Sequence, residues 1–181
     1  FSTTSSSVSL SLNEDILNIS FLTDQNGNGT ITVSANDGQY TVSTSFVITV
    51  NPVNDAPIIS QLSDDNTLED TDFELDLIAT DIDGDNLTFE AAVDGNGSAS
   101  VDGSTLTVTP TADYNGEIEV TVTVTDGQLS DSDSFTLTVN PVNDAPVLLD
   151  ISNSSVAEDT DFELTLSASD ADADDLTFNI S

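Results

Sequence analysis

Apolar and polar residues alternate with a period of two along most of this chain. Phe73, Leu75, Leu77 and Ala79 alternate with Glu74, Asp76 and Ile78. Within Ser104–Thr109, Leu106 and Val108 alternate with threonines. Ile118, Val120, Val122 and Val124 form a cleaner run, and Phe135, Leu137 and Val139 form a fourth. This period puts one set of side chains on each face of an extended segment, so these stretches predict half-buried β-strands. Asp83-Gly84, Asp94-Gly95-Asn96-Gly97, Asp102-Gly103, Asn115-Gly116 and Asp126-Gly127 separate the runs. Asp, Asn and Gly suit turns because they bond their own backbone or tolerate left-handed conformations. About seven strands fit between residues 58 and 139, and no segment carries a convincing helical period.

The pattern also repeats. Asn51-Pro52-Val53-Asn54-Asp55-Ala56-Pro57 recurs from Asn140 to Pro146, an offset of 89 residues. The same offset carries Glu69–Leu75 onto Glu158–Leu164, Asp81 and Asp83 onto Asp170 and Asp172, Asp37-Gly38-Gln39 onto Asp126-Gly127-Gln128, and Phe46 onto Phe135. A period near 90 is too long for a solenoid and suits a string of autonomous β-sandwich domains. The paired prolines of each Asn-Pro segment interrupt strand pairing and stiffen a joint.

The chain therefore reads as the later part of a repeat at 1–50, a linker at 51–57 and a complete domain at 58–139. A second linker at 140–146 and the first part of a further repeat at 147–181 follow. The two partial pieces are complementary, and neither closes a sandwich alone, which leaves bare edges and an open core. Three arrangements fit. The chain is a segment of a long array, or copies complete one another head to tail by strand addition, or it is a fibre unit whose chain runs on continuously.

Composition adds constraints. There are 34 Asp and Glu, no Lys, Arg or His, a formal net charge of −34, and no Cys, Met or Trp. Disulfides, thiolate metal sites and Cys or His catalysis are excluded. Nucleic acid and anionic membrane lack the cationic footprint they need, and no apolar run has the length of a membrane span. With neither signal peptide nor initiator Met, the chain is expected to be a processed product or a piece of something longer. The β-branched and aromatic content argues against a disordered acidic tail. No side chain can form a salt bridge here, so relief of the repulsion is expected from metal cations or salt.

Asp81, Asp83 and Asp85 occupy alternate positions at a strand end and so share a side. Two like charges 4 Å apart repel by about 4 kcal/mol at an effective dielectric of 20. A bound cation is the simplest relief, and oxygen ligands without N or S donors select Ca²⁺ over zinc or copper and over the more demanding Mg²⁺. Asp and Gly clusters also form plain turns, and Asp64-Asp65 and Asp131-Ser132-Asp133 read as solvated face.

At these residues the sequence resembles the cadherin superfamily, in particular the bacterial cadherin-like tandem repeats of large surface adhesins. Val53-Asn54-Asp55-Ala56-Pro57 is similar to that family's interdomain linker, and Ala79–Asn86 is similar to its second-strand metal motif. Asp126-Gly127 is similar to its late-strand Asp-x-Gly site, here compressed, and Glu69 to its acidic residue near a domain start. The resemblance implies tandem all-β Greek-key sandwiches of cadherin/Ig-like type, with Ca²⁺ held at the joints. Carried over, the first joint would use Asn54, Asp55, Asp81, Asp83 and Asp126, with Asp24 contributed by the preceding domain. The second would use Glu69, Asp113, Asn143, Asp144, Asp170 and Asp172. Its late-strand ligand would match Asp37, supplied by another copy or by further chain. Glu158 is the repeat counterpart of Glu69 and enters as the same kind of ligand.

Two other motifs are weaker. Asp24–Gly29 copies the first half of an EF-hand loop, but Ala35 stands where the closing Glu belongs. Asn18, Asn28, Asn86, Asn96, Asn153 and Asn179 head Asn-x-Ser/Thr sequons, a pattern that a Ser/Thr/Asn-rich chain generates by composition.

The resulting expectation is an extracellular or cell-surface structural and adhesive module, a rod or filament braced by Ca²⁺. Its partners would be adjacent repeats or other copies, with a glycan or cell-surface ligand possible. A glycan-binding accessory module is the alternative, although only Tyr40 and Tyr114 supply aromatics beyond the phenylalanines. Catalysis would rest on carboxylates alone, and repetition of the acidic groups suits architecture better than a unique pocket, so the chain is not read as an enzyme.

Overall fold

The alternating runs become strands. The computed structural model describes residues 2–3 and 8–180, and among these every regular element is a β-strand. In order they are β1 (Ser2–Thr3), β2 (Val8–Asn13), β3 (Ile16–Phe21), β4 (Gly27–Asn36), β5 (Thr41–Val50), β6 (Ile58–Ile59), β7 (Asp65–Leu68) and β8 (Phe73–Asp76). Then come β9 (Ala79–Thr80), β10 (Thr88–Val93), β11 (Gly97–Asp102), β12 (Thr105–Pro110), β13 (Gly116–Thr125), β14 (Ser130–Asn140), β15 (Val147–Leu148) and β16 (Ala168–Ser169). The predicted run over Phe73–Ala79 is broken into β8 and β9. With the short β6, this gives nine strand segments between the linkers.

Two compact units are present. One comprises Phe1–Ser60, Ala79–Thr88 and Val124–Asp131, the other Gln61–Ile78, Phe89–Thr123 and Ser132–Ser181. In the first, β2 and β3 form a hairpin from Val8↔Phe21 to Asn13↔Ile16. β4 and β5 form a longer one from Gly27↔Val50 to Asn36↔Thr41, and β6 pairs with β9. In the second, β12 lies between β11 and β8, antiparallel to both, and β7 runs parallel to the end of β14. The larger sheet has the order β10-β13-β14-β7.

The inward residues of these sheets form the core of an all-β sandwich. Leu77, Leu106, Val108, Ile118, Val120, Val122, Phe135, Leu137 and Val139 are buried. Each such side chain contributes about 1.5–3 kcal/mol on burial. Phe73 and Phe135 pack with ring centroids 5.9 Å apart. The acids expected on a solvated face do more than face water. Asp133 accepts the Leu62 N–H at 2.8 Å, Asp64 that of Thr136 at 2.8 Å, and, in the first unit, Asp131 that of Ile59 at 3.0 Å. These carboxylates satisfy backbone donors at strand edges, where solvation alone was expected.

Candidate functional site

Each Asn-Pro linker leads into a loop that folds around an aspartate. In the first unit Asp81 Oδ1 accepts the N–H groups of Asp83, Gly84 and Asp85 at 2.8, 2.9 and 3.3 Å. The Asp55 N–H donates to Asp83 Oδ2 at 2.8 Å. Asp81 Oδ2 is buried and has no hydrogen-bond partner. Burial pushes the Asp55 carboxyl above the usual range, and the charges of Asp24, Asp83 and Asp81 push it further. An open cleft lined by Asp24, Asp55, Ile58, Thr80 and Asp81 lies here.

Asp126 belongs to a different kind of contact. Its Oδ1 accepts the N–H groups of Gln128 and Leu129 at 2.6 and 2.7 Å, and its Oδ2 accepts Asn54 Nδ2 at 2.7 Å. The Leu129 N–H, the Asn54 amide and the Gln128 N–H together hold this carboxyl below the usual range. Asp37, its repeat counterpart, sits in the β4–β5 turn. Its Oδ1 accepts from Gln39 and Tyr40, which also lowers its carboxyl, the Tyr40 N–H most strongly.

In the second unit the loop geometry recurs. Asp170 Oδ1 accepts from the N–H groups of Asp172 and Asp174 at 3.1 and 3.2 Å, and the Asp144 N–H donates to Asp172 Oδ2 at 2.6 Å. Asn143 Nδ2 bonds the Asp144 carbonyl. Glu69 adds to this cluster from the end of β7. It is only 3% exposed, its N–H donates to Asn140 O at 2.9 Å, and its Oε1 accepts the Val142 N–H. Carboxylate oxygens of Glu69, Asp144 and Asp172 lie within 4.8 Å of one another, and so do those of Asp70, Asp113 and Asp144. Burial raises the Asp144 carboxyl, reinforced by Asp113, Asp172, Asp70 and Glu69.

The structure thus brings Glu69, Asp113, Asp144 and Asp172 together, with Asn143 and Asp170 shaping the loops beside them. It groups Asp24, Asp55, Asp81 and Asp83 in the first unit. Asp37 and Glu158 lie outside both clusters, Glu158 on an exposed irregular stretch. Asp70 was missed by the sequence reading. The signal available was its place in the repeated Glu69-Asp70-Thr71 segment.

The donor set fits a hard divalent cation. All the candidate donors are oxygens, Glu69 in the second unit is buried, Asp81 Oδ2 in the first is orphaned, and the chain contains no cationic side chain. Ca²⁺ accepts irregular carboxylate cages of this kind.

The search of curated proteins gives no match. Among solved structures the chain is similar to Drosophila N-cadherin EC1-3, with 13% identity over 67% of this chain and 45% of that one and a TM-score of 0.42. It is similar to titin domain M7, with 20% identity over 50% and 99% and a TM-score of 0.36. It is also similar to an endo-fucoidan hydrolase of glycoside hydrolase family 107, with 21% identity and a TM-score of 0.39, covering 76% of this chain and 23% of the hydrolase. The chain thus spans about a quarter of the length of that enzyme, and TM-scores this low carry no functional argument. Residues 54–140, the stretch that holds both sheets of the sandwich, match the model of the bacterial Ig domain family, and this part of the chain is a bacterial Ig-like repeat.

Proposed function

We propose that the chain is part of an extracellular, adhesive array of Ig-like repeats whose linkers bind Ca²⁺, which braces consecutive repeats into a rod. The observation that carries this reading is the position of Asp144. Its carboxylate is shared by two groups of three acids, one of which includes the buried Glu69. Glu69, Asp70, Asp113, Asp144 and Asp172 would hold the cation there, and Asp24, Asp55, Asp81 and Asp83 would do so at the first linker. Bound Ca²⁺ would supply the positive charge that the sequence lacks and tie a linker aspartate to loops on either side of it.

Calorimetric titration of the chain with Ca²⁺, and separately with Mg²⁺, at constant ionic strength tests the proposal. Saturable Ca²⁺ binding, weaker Mg²⁺ binding and loss of Ca²⁺ binding in Asp144→Asn at the second linker are expected. Absence of saturable heat at millimolar Ca²⁺ would refute it. Scattering in Ca²⁺ and in chelator checks the bracing, with a less extended and more heterogeneous chain expected once the metal is removed.

A further inference from the structure

Four Asn-Gly steps occur in the chain: Asn26-Gly27, Asn28-Gly29, Asn96-Gly97 and Asn115-Gly116. Asparagine followed by glycine is the pairing most open to spontaneous loss of the side-chain amide, because glycine has no side chain to hinder attack by its own backbone nitrogen. Whether a given step reacts depends on how firmly the fold holds it. The nitrogen must leave its place and approach Cγ of the asparagine, which requires local opening.

Three of the steps are held. Asn28 and Gly29 sit within the β4–β5 ladder, opposite Thr49 and Ile48. The Asn96 carbonyl accepts the Thr111 N–H at 2.8 Å, and a Cβ on Gly97 would stand 2.9 Å from Thr109 O, so this glycine is packed tightly against β12. Asn115 is exposed, but Tyr114 folds over Gly116. A Cβ on Gly116 would lie 2.7 Å from the Tyr114 hydroxyl oxygen, and that hydroxyl donates to Glu117 O at 2.9 Å.

Asn26-Gly27 is the repeat counterpart of Asn115-Gly116. The two loops have the same backbone form. Asp24 and Asp113 both have a φ of 56°, and Gly27 and Gly116 have φ values of 122° and 138°. The cover differs. Gln25 stands in place of the tyrosine and donates its amide to Asp24 O at 3.1 Å, and a Cβ on Gly27 would meet nothing within 4 Å. Asn26 is exposed and outside any strand. Gly27 is the first residue of β4, where a ladder frays most easily. Asn115 is equally exposed inside a complete domain, so the exposure of Asn26 belongs to the loop itself. Asn26 also lines a cleft with Asp24, Asn51, Asp55 and Asp83, which include three of the four acids grouped at the first linker.

We infer that Asn26 deamidates spontaneously in the folded chain and delivers a new carboxylate to the acid cluster of the first linker. The Gly27 nitrogen attacks Asn26 Cγ. An N–C bond forms, the Cγ–Nδ2 bond breaks, and ammonia leaves with the amide proton. Water then opens the succinimide at either carbonyl, leaving aspartate or isoaspartate at position 26. Water is consumed and ammonia released, nothing is oxidised or reduced, and each event adds one negative charge. The first linker thus ages toward a greater demand for cations, while Tyr114 shields the second. The chemistry requires no metal, and its effect on cation binding rests on the Ca²⁺ reading above.

The test ages the full 181-residue chain in warm, mildly alkaline buffer and follows each step by chymotryptic mapping with fragment mass spectrometry, which resolves Asn26 from Asn28. In the folded chain Asn26 is expected to convert roughly tenfold faster than Asn28, Asn96 or Asn115, and in denaturant all four are expected to convert at similar rates. Exchanging the cover checks the cause. Gln25→Tyr is expected to slow Asn26, and Tyr114→Gln to speed Asn115. Equal rates at Asn26 and Asn115 in the folded chain, or a ranking that persists unchanged in denaturant, would overturn the inference.

Asn26→Asp imitates one product. It is expected to bind Ca²⁺ roughly fivefold more tightly at the first linker, read by calorimetry in an Asp144→Asn background. In a chain that binds Ca²⁺ there, unchanged affinity would overturn delivery of the carboxylate to the cluster. Fast conversion of Asn26 in a chain with no saturable Ca²⁺ binding sinks the metal reading alone. Ca²⁺ binding with Asn26 no faster than Asn115 sinks this one alone.

Discussion

Glu69→Gln separates a ligand from a structural anchor. Glu69 Oε1 accepts the Val142 N–H, a role that the glutamine carbonyl oxygen can fill. What the substitution removes is one negative charge, from a residue only 3% exposed and with carboxylates of Asp144 and Asp172 within 4.8 Å. Unit charges at 4.8 Å repel by about 3.5 kcal/mol at an effective dielectric of 20. Water on the open side of the cluster reduces this, so the metal-free variant is expected to be more stable than the parent by about 1 kcal/mol, or a few degrees in Tm. In Ca²⁺ the sign reverses. Saturation at a hundred times Kd stabilises a binding-competent fold by about 2.7 kcal/mol, roughly 5–10 °C for a chain of this size. The variant, short of one anionic ligand, is expected to lose more than half of that increment. Thermal unfolding of both proteins in chelator and in Ca²⁺ reads all four states. A variant that is less stable in chelator yet keeps the full Ca²⁺ increment would refute the reasoning and leave Glu69 as an anchor for Val142.

Three further outcomes are expected. In the metal-free chain the raised Asp55 and Asp144 carboxyls should favour the fold at acid pH and lose that contribution as pH rises through their titration, whereas the lowered Asp37 and Asp126 carboxyls should favour it above the ordinary carboxyl range and lose that contribution as pH falls through theirs; Ca²⁺ should offset the loss at higher pH, and denaturant unfolding across pH checks these signs. Ala173 holds a φ of 61° at the place where the first unit has Gly84 at 79°, so Ala173→Gly should stabilise the second loop by about 1 kcal/mol and tighten Ca²⁺ binding there roughly fivefold, measured by calorimetry. Asp133→Ala should cost about 1–3 kcal/mol by stranding the Leu62 N–H, whereas Asp133→Asn, which keeps an acceptor, should cost less; denaturant midpoints distinguish them.

The strands were legible because their period is strict. Ile118, Val120, Val122 and Val124 are all fully buried, as the alternation demands. Side-chain chemistry was less legible. Asp70 escaped notice because neighbours in an extended chain point to opposite sides, yet Asp70 has a φ of 57°, and the turn there lets two consecutive acids reach Asp144. Asp64, Asp131 and Asp133 look like solvent-facing charge in the sequence. Their role as acceptors depends on which strand ends in front of them, and pairing over some 70 residues leaves no mark on local composition. Residues 162–165 repeat three of the four residues of β8 but form no strand.

The absence of Lys, Arg and His makes the accounting of charge unusually direct. Within the chain a carboxylate finds relief only in hydrogen-bond donors, chiefly backbone N–H groups. Asp126 and Asp37 are satisfied in this way, and their carboxyls are held low as a result. Asp55 and Asp144 are the opposite case, since the charges around them are other carboxylates and their carboxyls are raised. Both occupy the same position in the two linkers, 89 residues apart. Had the acidity served only to keep the chain soluble, the crowding would be expected on open strand faces, where water screens it at little cost. It is concentrated at the joints instead, around one aspartate per linker. On the proposed reading, a cation supplied from outside would turn that repulsion into cohesion between the linker and the loops beside it.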